Sequence, residues 1–553
     1  MKIALAQINP TIGDFSGNLN KILDFTRRAV DAGADLTVFP ELAICGYLPA
    51  DFLEKEAFVA RAGEVLAQLA EQTAYTSILV GVVVPSGVIT GKHVRNVAAL
   101  LTGGRVNFLQ QKMLLPFYDI FDEQRYFEPA QQQSIVTLNG QPLAITVCED
   151  AWNDKMYWPR RFYPVDPVEE LMTKWPQDTN APHIILNISA SPYWKDKRQV
   201  RSQMLSALAR RHKAVVAMCN QVGGNDSILF DGTSIAFDPE GCVIARGKSF
   251  EEDLVLFDTA DRSTPCVPVV EDDEIAGAWN ALVMGTRDYV RKCGFSKVLI
   301  GLSGGIDSAL VAAIAVEAFG AENVIGVGMP SEFSSSHSVD DARALAENLG
   351  IRFELLAIRE IYDQFTSVLH PLFAGTPFGL AEENIQPRVR GTLLMALSNK
   401  FGALVLTTGN KSEMAVGYCT LYGDMVGGLA VIGDMAKTRV YELSRYANRE
   451  RVVIPLSTIE KPPSAELRPG QLDTDSLPPY EVLDPILEAY VERYESAAQI
   501  AREQGVDLSL VEQVLRLVER SEYKRQQAAP VLKVTRKSFG NGRRFPIAVK
   551  VQV

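Results

Sequence analysis

The sequence predicts an α/β protein built from two domains. The chain has 553 residues, which at about 150 residues per domain allows roughly three to four domains or two large ones. Short apolar runs alternate with helical patterns along almost the whole chain, as in layered α/β folds. This alternation breaks at residues 259–274, where two prolines and an acidic run show no clean period. We therefore expect a central sheet with outer helices in each half.

The composition is that of an ordinary globular protein. Hydrophobic residues make up 47% and charged residues 22%, which excludes disordered and collagen-like chains. The 55 basic and 67 acidic residues give a net charge of −12, so the overall charge of the chain does not attract it to nucleic acid or anionic lipid. We expect neither a nucleic-acid nor a membrane partner, and an anionic ligand must be held by a local site.

The cysteines and the N-terminus indicate a cytoplasmic protein. The seven cysteines are odd in number and contain no CxxC pair, which argues against a disulfide framework and a structural zinc site. The first residues, MKIALAQINP, do not form a signal peptide, and no run of about 18 apolar residues occurs.

The first half of the chain contains a series of predicted strands. Apolar runs typical of buried strands occupy residues 2–9, 35–41, 77–84, 142–150, 183–191 and 213–221. An amphipathic stretch at 18–33 predicts a helix, and residues 234–247 predict a hairpin with Pro-Glu-Gly at its turn.

The second half opens with a predicted βαβ unit. It consists of a strand at 297–303, a Gly-Gly turn, a helix at 307–319 that Gly320 ends, and a strand at 323–331. The pattern continues with helices at 340–348 and 389–401 and strands at 352–358 and 403–410. Because such crossovers make parallel strands, their carboxyl ends share the edge at which ligands bind.

The segment GLSGGIDS, residues 301–308, is the strongest local motif. Two glycines permit a tight turn, and the serine hydroxyls and free helix N–H groups face one small volume that suits an anion. Asp307 would repel phosphate unless it binds Mg²⁺, which bridges carboxylate and phosphate oxygens. A Gly-rich turn capped by serine is the simpler interpretation, but SGGxDS between a strand and a helix is far more restrictive. The motif is not a Walker A loop, which requires GxxxxGK[ST].

This motif closely resembles the pyrophosphate-binding loop of the N-type ATP pyrophosphatases. Segments 383–391, 407–428, 459–487 and 521–530 are similar to signatures of the NAD synthetases within that superfamily. The resemblance implies that Asn384, Glu413 and Lys524 contact deamido-NAD and that Glu413 shares Mg²⁺ with Asp307. Pro387 departs from the ammonia-only relatives and leaves the local helix start open. The implied ATP-binding residues are Gly301, Leu302, Ser303, Gly304, Gly305, Ile306, Asp307, Ser308 and Thr408.

Three separated residues of the first half, Glu41, Lys112 and Cys148, stand at or just beyond strand ends. Each has a simple structural explanation, since a free cysteine is usually a small buried hydrophobe and Glu41 could pair with Lys112. Together they supply what acyl transfer from an amide requires: a thiolate nucleophile, a carboxylate base and a cation for the tetrahedral oxygen.

The order Glu, Lys, Cys and its strand context resemble the nitrilase, or carbon–nitrogen hydrolase, superfamily. Cys148-Glu149-Asp150 and the stretches LLPFYDIFDEQRYF and SASPYWKDK are similar to its glutaminase members. This resemblance implies that Tyr118, Ser191 and Lys197 bind glutamine. The alternative interpretation is that Ser191 only belongs to a turn that ends the preceding strand.

Taken over its whole length, the chain resembles the glutamine-dependent NAD synthetases. The resemblance implies a nitrilase-like α-β-β-α sandwich at 1–262, a linker at 263–274, and a synthetase domain at 275–553. That domain would be a Rossmann-like, doubly wound parallel sheet of the adenine nucleotide alpha hydrolase type. The implied ligase converts deamido-NAD, ATP and glutamine into NAD, AMP, pyrophosphate and glutamate, uses Mg²⁺, and is a homo-oligomer.

Two alternatives remain open from the residues alone. One is another glutamine-dependent amidotransferase with the same ATP-cleaving chemistry and a different acceptor, a purine nucleotide or a tRNA base. The other is a non-catalytic nucleotide-binding assembly protein that retains both folds. The joint presence of Glu41, Lys112, Cys148 and SGGIDS argues against lost catalysis.

Overall fold

The computed structural model describes residues 1–176, 181–261, 266–267 and 273–550. The chain divides into two compact units, Met1–Asp272 and Asp273–Val553. Most of the predicted linker at 263–274 lies outside the described residues. None of the helices within these ranges is both long and apolar enough to cross a membrane.

The first unit contains fourteen strands and five helices among its described residues. The strands are β1 Lys2–Gln7, β2 Leu36–Val38, β3 Ile78–Pro85, β4 Val94–Thr102, β5 Arg105–Gln111, β6 Val136–Leu138, β7 Gln141–Val147, β8 His183–Ser189, β9 Ala214–Asn220, β10 Val222–Asn225, β11 Ile228–Asp231, β12 Ile235–Phe237, β13 Val243–Arg246 and β14 Asp253–Asp258. The helices are α1 Phe15–Asp31, α2 Glu56–Gln72, α3 Glu123–Tyr126, α4 Pro167–Thr173 and α5 Lys197–His212.

Two six-stranded sheets pack face to face in this unit. Their strand orders are β14-β1-β2-β3-β4-β5 and β13-β12-β9-β8-β7-β6. Apolar side chains of both sheets, such as Leu5 and Val38 from one and Ile145 and Val215 from the other, form one core between them. Helices α1 and α2 cover the outer face of the first sheet, and α4 and α5 cover the outer face of the second. The predicted α-β-β-α sandwich is therefore confirmed.

The strands in each sheet are buried on both faces because each sheet lies between helices and the other sheet. Consequently the sequences of β1, β3 and β9 are nearly continuous apolar runs, which is typical of strands that are covered on both faces. The predicted hairpin is also present, since β12 and β13 are antiparallel.

One disulfide in this unit corrects the expectation drawn from cysteine spacing. Cys242, before β13, is bonded to Cys266, 24 residues later. The chain leaves β13 for β14 in the other sheet and then returns, where the Val267 N–H donates to the Val243 carbonyl at 2.8 Å. Only this return brings the two cysteines together, so their separation in sequence could not predict the bond.

The second unit has five strands and twelve helices in the residues described. The strands are β15 Lys297–Gly301, β16 Val324–Gly328, β17 Arg352–Leu355, β18 Ala403–Thr407 and β19 Leu429–Ala430. The helices are α6 Glu274–Lys292, α7 Ile306–Phe319, α8 Ser336–Leu349, α9 Arg359–Phe373, α10 Leu380–Phe401, α11 Lys411–Val416, α12 Lys437–Ala447, α13 Leu456–Glu460, α14 Tyr480–Arg493, α15 Ala497–Gln504, α16 Leu508–Arg520 and α17 Glu522–Arg525.

All five strands of this unit form one parallel sheet in the order β17-β16-β15-β18-β19. The order changes direction between β15 and β18, which is where open α/β sheets bind ligands. The predicted doubly wound parallel sheet is thus confirmed. Helix α10 begins at Leu380, nine residues before the predicted start, and passes through Pro387. The prediction began too late because proline usually marks a helix boundary.

Candidate active sites

The loop that carries Glu41 leaves β2 and packs directly against Gly81 of β3. The Gly81 N–H donates to the Pro40 carbonyl at 3.2 Å, and the Gly81 carbonyl accepts from the Ile44 N–H at 3.3 Å. A Cβ atom at Gly81 would lie 2.6 Å from the carbonyl carbon of Glu41. Glycine is therefore required here because the backbone of the Glu41 loop occupies the space of a side chain.

Lys112 forms a buried ion pair with Glu41 at the centre of this region. Its Nζ lies 2.7 Å from Glu41 Oε1 and 2.8 Å from Oε1 of a second carboxylate, Glu123. All three side chains are fully buried. One ammonium thus faces two carboxylates, and Glu123 was not recognised from the sequence.

Hydrogen bonds fix the orientation of both carboxylates. Asn96 Nδ2 donates to Glu41 Oε1 at 2.7 Å, and the Ala190 N–H donates to Glu41 Oε2 at 3.0 Å. The Tyr47 hydroxyl donates to Glu123 Oε1 at 2.6 Å. These donors come from β4, from the residue after β8 and from the loop that follows β2, so distant parts of the chain orient the two carboxylates.

The charges of this cluster depend on one another. Burial by itself lowers the pKa of Lys112, but Glu123 and Glu41 outweigh it and raise that pKa well above its usual range. Burial raises the pKa of Glu123 to about 7, although the Lys112 ammonium opposes the rise. The two carboxylates therefore favour the charged form of Lys112, and burial favours the protonated form of Glu123.

Cys148 follows β7 directly and begins a short 3₁₀ turn, Cys148–Ala151, with a φ of +44°. Its side chain is buried, and its carbonyl accepts a hydrogen bond from Asn187 Nδ2 at 3.2 Å. Burial and the Glu41 charge raise the pKa of the Cys148 thiol well above its usual range, whereas Lys112 lowers it. The resting group is a thiol that must lose its proton to a base before it can attack.

The next two residues connect this turn to its surroundings. Asp150 accepts from the N–H groups of Met113 and Leu114 at 3.0 and 2.8 Å and thereby holds the chain after Lys112. Glu149 accepts from the Tyr118 hydroxyl at 2.9 Å. Burial raises the pKa of Glu149, while Lys112, Tyr118 and Lys197 lower it.

The predicted glutamine-binding residues are distributed around this cluster. Tyr118 is bonded to Glu149, the residue after Cys148, and the Lys197 ammonium lies 3.8 Å from the centre of the Trp152 ring. Ser191 is buried and follows Ala190, whose N–H holds Glu41. A carboxylate, a phenol and an ammonium are groups that can bind the charged ends of an amino acid.

In the second unit, the loop between β15 and α7 is stabilised by its own serines. The Ser308 hydroxyl donates to the Gly305 carbonyl at 3.0 Å, and the Gly305 N–H donates to Ser303 Oγ at 3.2 Å. Gly304 has a φ of +75°, and a Cβ there would overlap the Ser338 carbonyl. This tight turn leaves the amino end of α7 open at the carboxyl edge of the sheet.

Two carboxylates and one ammonium lie beside this loop. Asp307 is bonded to Lys437 Nζ and accepts from Asn410 Nδ2 at 2.9 Å. Lys437 Nζ also lies 3.6 Å from Glu413 Oε1. Burial and the Asp307 charge raise the pKa of Glu413 to about 8, and Lys437 opposes that rise. Lys437 and Asn410 were not recognised from the sequence as neighbours of Asp307.

A cavity of about 300 Å³ opens at this edge of the sheet. Among the predicted residues, seven of the eight positions of GLSGGIDS, together with Thr408 and Glu413, line it; Gly304 does not. Asn384 and Lys524 are not among the residues that line it. Asn384 accepts from the Thr420 hydroxyl at 2.8 Å, and Lys524 donates to the Gly417 and Cys419 carbonyls at 2.6 and 2.7 Å.

Two family models match the chain, and together they cover both units. Residues 2–264 match the carbon–nitrogen hydrolase model, and residues 278–528 match the NAD synthase model. A protein of Synechocystis named glutamine-dependent NAD(+) synthetase is 49% identical over 99% of this chain and 98% of its own. A protein of the same name from Thermotoga maritima is 42% identical over 99% of this chain and 98% of its own.

The chain belongs to the glutamine-dependent NAD(+) synthetase family.

Solved structures of this family have the same architecture. A glutamine-dependent NAD(+) synthetase from Acinetobacter baumannii, solved with ADP, is 41% identical and superposes with a TM-score of 0.76 over 99% of this chain and 98% of its own. One from Cytophaga hutchinsonii, at 21% identity, shares the fold with a TM-score of 0.83 over 99% of this chain and 97% of its own. Enzymes of the glutamine-dependent NAD(+) synthetase family form a carbon–nitrogen bond by ATP-dependent amidation.

Proposed function

We propose that the first unit releases ammonia from glutamine and that the second uses it to convert deamido-NAD to NAD, with ATP cleaved to AMP and pyrophosphate. The observation that carries the first half is the buried Lys112 ammonium between Glu41 and Glu123, beside the Cys148 turn. The second half is supported by the cavity that Asp307, Glu413 and the GLSGGIDS loop line.

In the first unit, Glu41 takes the thiol proton as Cys148 attacks the glutamine amide carbon. The Lys112 ammonium stabilises the negative charge that develops on the carbonyl oxygen. Glu41 then passes the proton to the departing ammonia, and in the second half of the cycle it activates the water that releases glutamate. Tyr118, Ser191 and Lys197 hold the glutamine, with Glu149 beside them.

In the second unit, the loop at Gly301, Leu302, Ser303, Gly304, Gly305, Ile306, Asp307 and Ser308, with Thr408, holds ATP. Asp307 and Glu413 fit a divalent cation, because two carboxylates plus substrate phosphates are the usual Mg²⁺ ligands. Burial and the Asp307 charge raise the pKa of Glu413 to about 8, and a divalent cation held by both carboxylates would offset the repulsion between them. Bound Mg²⁺ supplies neutralisation of the triphosphate and of the departing pyrophosphate.

We assign deamido-NAD to Asn384, Glu413 and Lys524, as the resemblance implies. Of these three residues only Glu413 lines the cavity, while Asn384 and Lys524 hold the 417–420 loop, of which Tyr418 and Cys419 line the cavity. A cytoplasmic location remains part of this proposal.

We also propose that the chain is a homo-oligomer. Helix α9 exposes a row of apolar side chains, in which Phe365 is 51%, Val368 74% and Leu372 79% exposed. Such a row supports packing against a second copy. Light scattering of the purified protein and of Val368→Asp measures this directly, and a monomeric wild-type protein would contradict it.

The decisive experiment supplies the purified protein with deamido-NAD, ATP, Mg²⁺ and glutamine. We expect equal amounts of NAD, AMP and pyrophosphate, with at least as much glutamate. Deamido-NAD is then replaced by a purine nucleotide, and glutamine by ammonium chloride. ATP cleavage that needs a purine acceptor would favour the other amidotransferase, and no cleavage with any acceptor would favour a non-catalytic protein.

A further inference from the structure

The C-terminal segment, residues 531–543, packs beside the short helix α11. It begins next to β19, where Val531 forms a parallel bridge with Ala430. Val531 and Phe539 are buried in the same apolar cluster as Met414 of α11. The segment is therefore part of the core of the second unit, although it follows α17 in the chain.

Lys411, the first residue of α11, makes the contact at the amino end of this helix. Its Nζ donates to Thr535 Oγ1 at 2.7 Å and to the Lys537 carbonyl at 2.8 Å, both in the C-terminal segment. It also forms ion pairs with Glu492 at 2.7 Å and Asp434 at 3.0 Å. Burial lowers the pKa of Lys411, but Asp434 and Glu492 outweigh it and raise that pKa. The buried ammonium therefore keeps its charge and binds four groups at once.

Thr535 connects this ammonium to Asp434. Its hydroxyl accepts from Lys411 and donates to Asp434 Oδ1 at 2.9 Å, and its N–H donates to Asp434 Oδ2 at 2.7 Å. The Lys411 N–H in turn donates to the Met435 carbonyl, next to Asp434, at 2.9 Å. One hydroxyl of the C-terminal segment thus fixes the start of α11 against the chain that precedes α12.

The carboxyl end of α11 is held through Arg543 of the same segment. Arg525 Nη1 donates to the carbonyls of Met414 and Ala415 at 3.2 and 2.6 Å. Glu522 Oε2 accepts from Arg525 Nη2 at 2.8 Å and from Arg543 Nη1 at 2.6 Å. The C-terminal segment therefore supports both ends of a helix of six residues, which is too short to be stable without tertiary contacts.

Helix α11 determines where two side chains of the second site lie. Asn410 caps the helix: its Oδ1 accepts from the Glu413 N–H at 3.0 Å, and its Nδ2 donates to Asp307 at 2.9 Å. Glu413 lines the cavity, whereas neither Lys411 nor Thr535 is among the described residues that line it. Lys411 and Thr535 therefore act on the cavity indirectly, through α11.

We propose that Thr535 and Lys411 are positioning residues of the second site, because they fix the helix that carries Glu413. With α11 fixed, Glu413 and Asn410 keep their distances to Asp307 when ATP and Mg²⁺ bind. This inference rests on the proposed function of the second unit. Mg²⁺ demands near-ideal octahedral geometry, so a small shift of one of its two carboxylate ligands weakens binding.

The test compares Thr535→Val with Thr535→Ser. Valine has nearly the shape of threonine but no hydroxyl, whereas serine keeps the hydroxyl. Calorimetry over a range of Mg²⁺ concentrations measures the binding of α,β-methylene-ATP, which cannot be cleaved to AMP and pyrophosphate. We expect its affinity to fall about 10-fold in Thr535→Val and to stay near the wild-type value in Thr535→Ser. Hydrogen exchange of the α11 amides should be faster in Thr535→Val alone.

Thr392→Val is the control, because it removes an exposed hydroxyl on α10, and it should behave as the wild type does. A structural role alone would lower the unfolding temperature of Thr535→Val and leave nucleotide affinity and α11 exchange unchanged. That result would overturn the inference, as would equal losses of affinity in Thr535→Ser and Thr535→Val. A wild-type protein that does not bind the analogue with Mg²⁺ would instead overturn the proposed function of the second unit.

Discussion

Lys112 Nζ lies 2.7 Å from Glu41 Oε1, and both side chains are fully buried although 71 residues separate them. The same ammonium is 2.8 Å from Glu123 Oε1. A buried ammonium keeps its charge in an apolar interior when adjacent carboxylates compensate the cost of its burial. The three residues therefore act as one unit.

Cys148→Ala should abolish NAD synthesis from glutamine and leave synthesis from ammonium chloride largely intact. The thiol is the nucleophile of the first site, whereas free ammonia enters the reaction after that site. NAD formation with each nitrogen source measures this. Cys219→Ala removes another buried thiol of the first unit and should lower stability only. Equal losses with both nitrogen sources in folded Cys148→Ala would contradict the prediction.

Asp307→Asn should slow ATP cleavage by about 10²–10³-fold and leave glutamine hydrolysis nearly unchanged. An amide is a weaker Mg²⁺ ligand than a carboxylate, and the change also removes the charge that pairs with Lys437. Pyrophosphate release and glutamate release are measured in parallel. Asp340→Asn, an exposed change on α8, is the control. Normal adenylation in Asp307→Asn would show that the loop has been assigned wrongly.

Gly81→Ala should impair glutamine hydrolysis far more than ammonia-dependent synthesis. The added Cβ would lie 2.6 Å from the carbonyl carbon of Glu41 and must displace the loop that holds this base. We expect a loss of stability of about 1–3 kcal/mol as well. Gly63→Ala is a matched control, because this helical glycine has no neighbouring atom within 4 Å of an added Cβ. Glutamate release and thermal unfolding measure both effects, and identical behaviour of the two variants would refute the argument.

Glu123→Gln should flatten the pH dependence of stability between about pH 4.5 and pH 7. The folded protein raises the pKa of Glu123 from 4.5 to about 7, so it binds this proton more tightly than the unfolded chain. The resulting stabilisation is fully present below the unfolded pKa, is lost as the pH rises through the folded pKa, and amounts to at most about 3 kcal/mol. Unfolding temperatures from pH 4 to pH 8 measure it. Glu64→Gln, on the exposed face of α2, should keep the wild-type slope, and the same slope in Glu123→Gln would contradict the prediction.

A feature could be predicted from the sequence when the residues that form it are close together in the chain. The turn between β15 and α7 could be predicted because its glycines and serines bond within six residues of one another. Most predicted strands could be found because burial on both faces leaves a continuous apolar run. The start of α10 could not be predicted. Proline at 387 disfavours a helix in the residues before it, but the packing of Ile385 and Val389 into the core outweighs this preference.

The sequence by itself determined the two α/β halves, the ligand edge of the parallel sheet and, through family resemblance, the residues proposed for catalysis. Only the tertiary structure showed that Glu123 contacts Lys112 and that Lys437 contacts Asp307. It also showed that Asp473 lines the cavity and that Cys242 is bonded to Cys266. Periodicity and turn chemistry are properties of neighbouring residues and can be read along the chain. The pairing of distant charges depends on strand order and on which loops meet at a sheet edge, and the folded chain alone decides that.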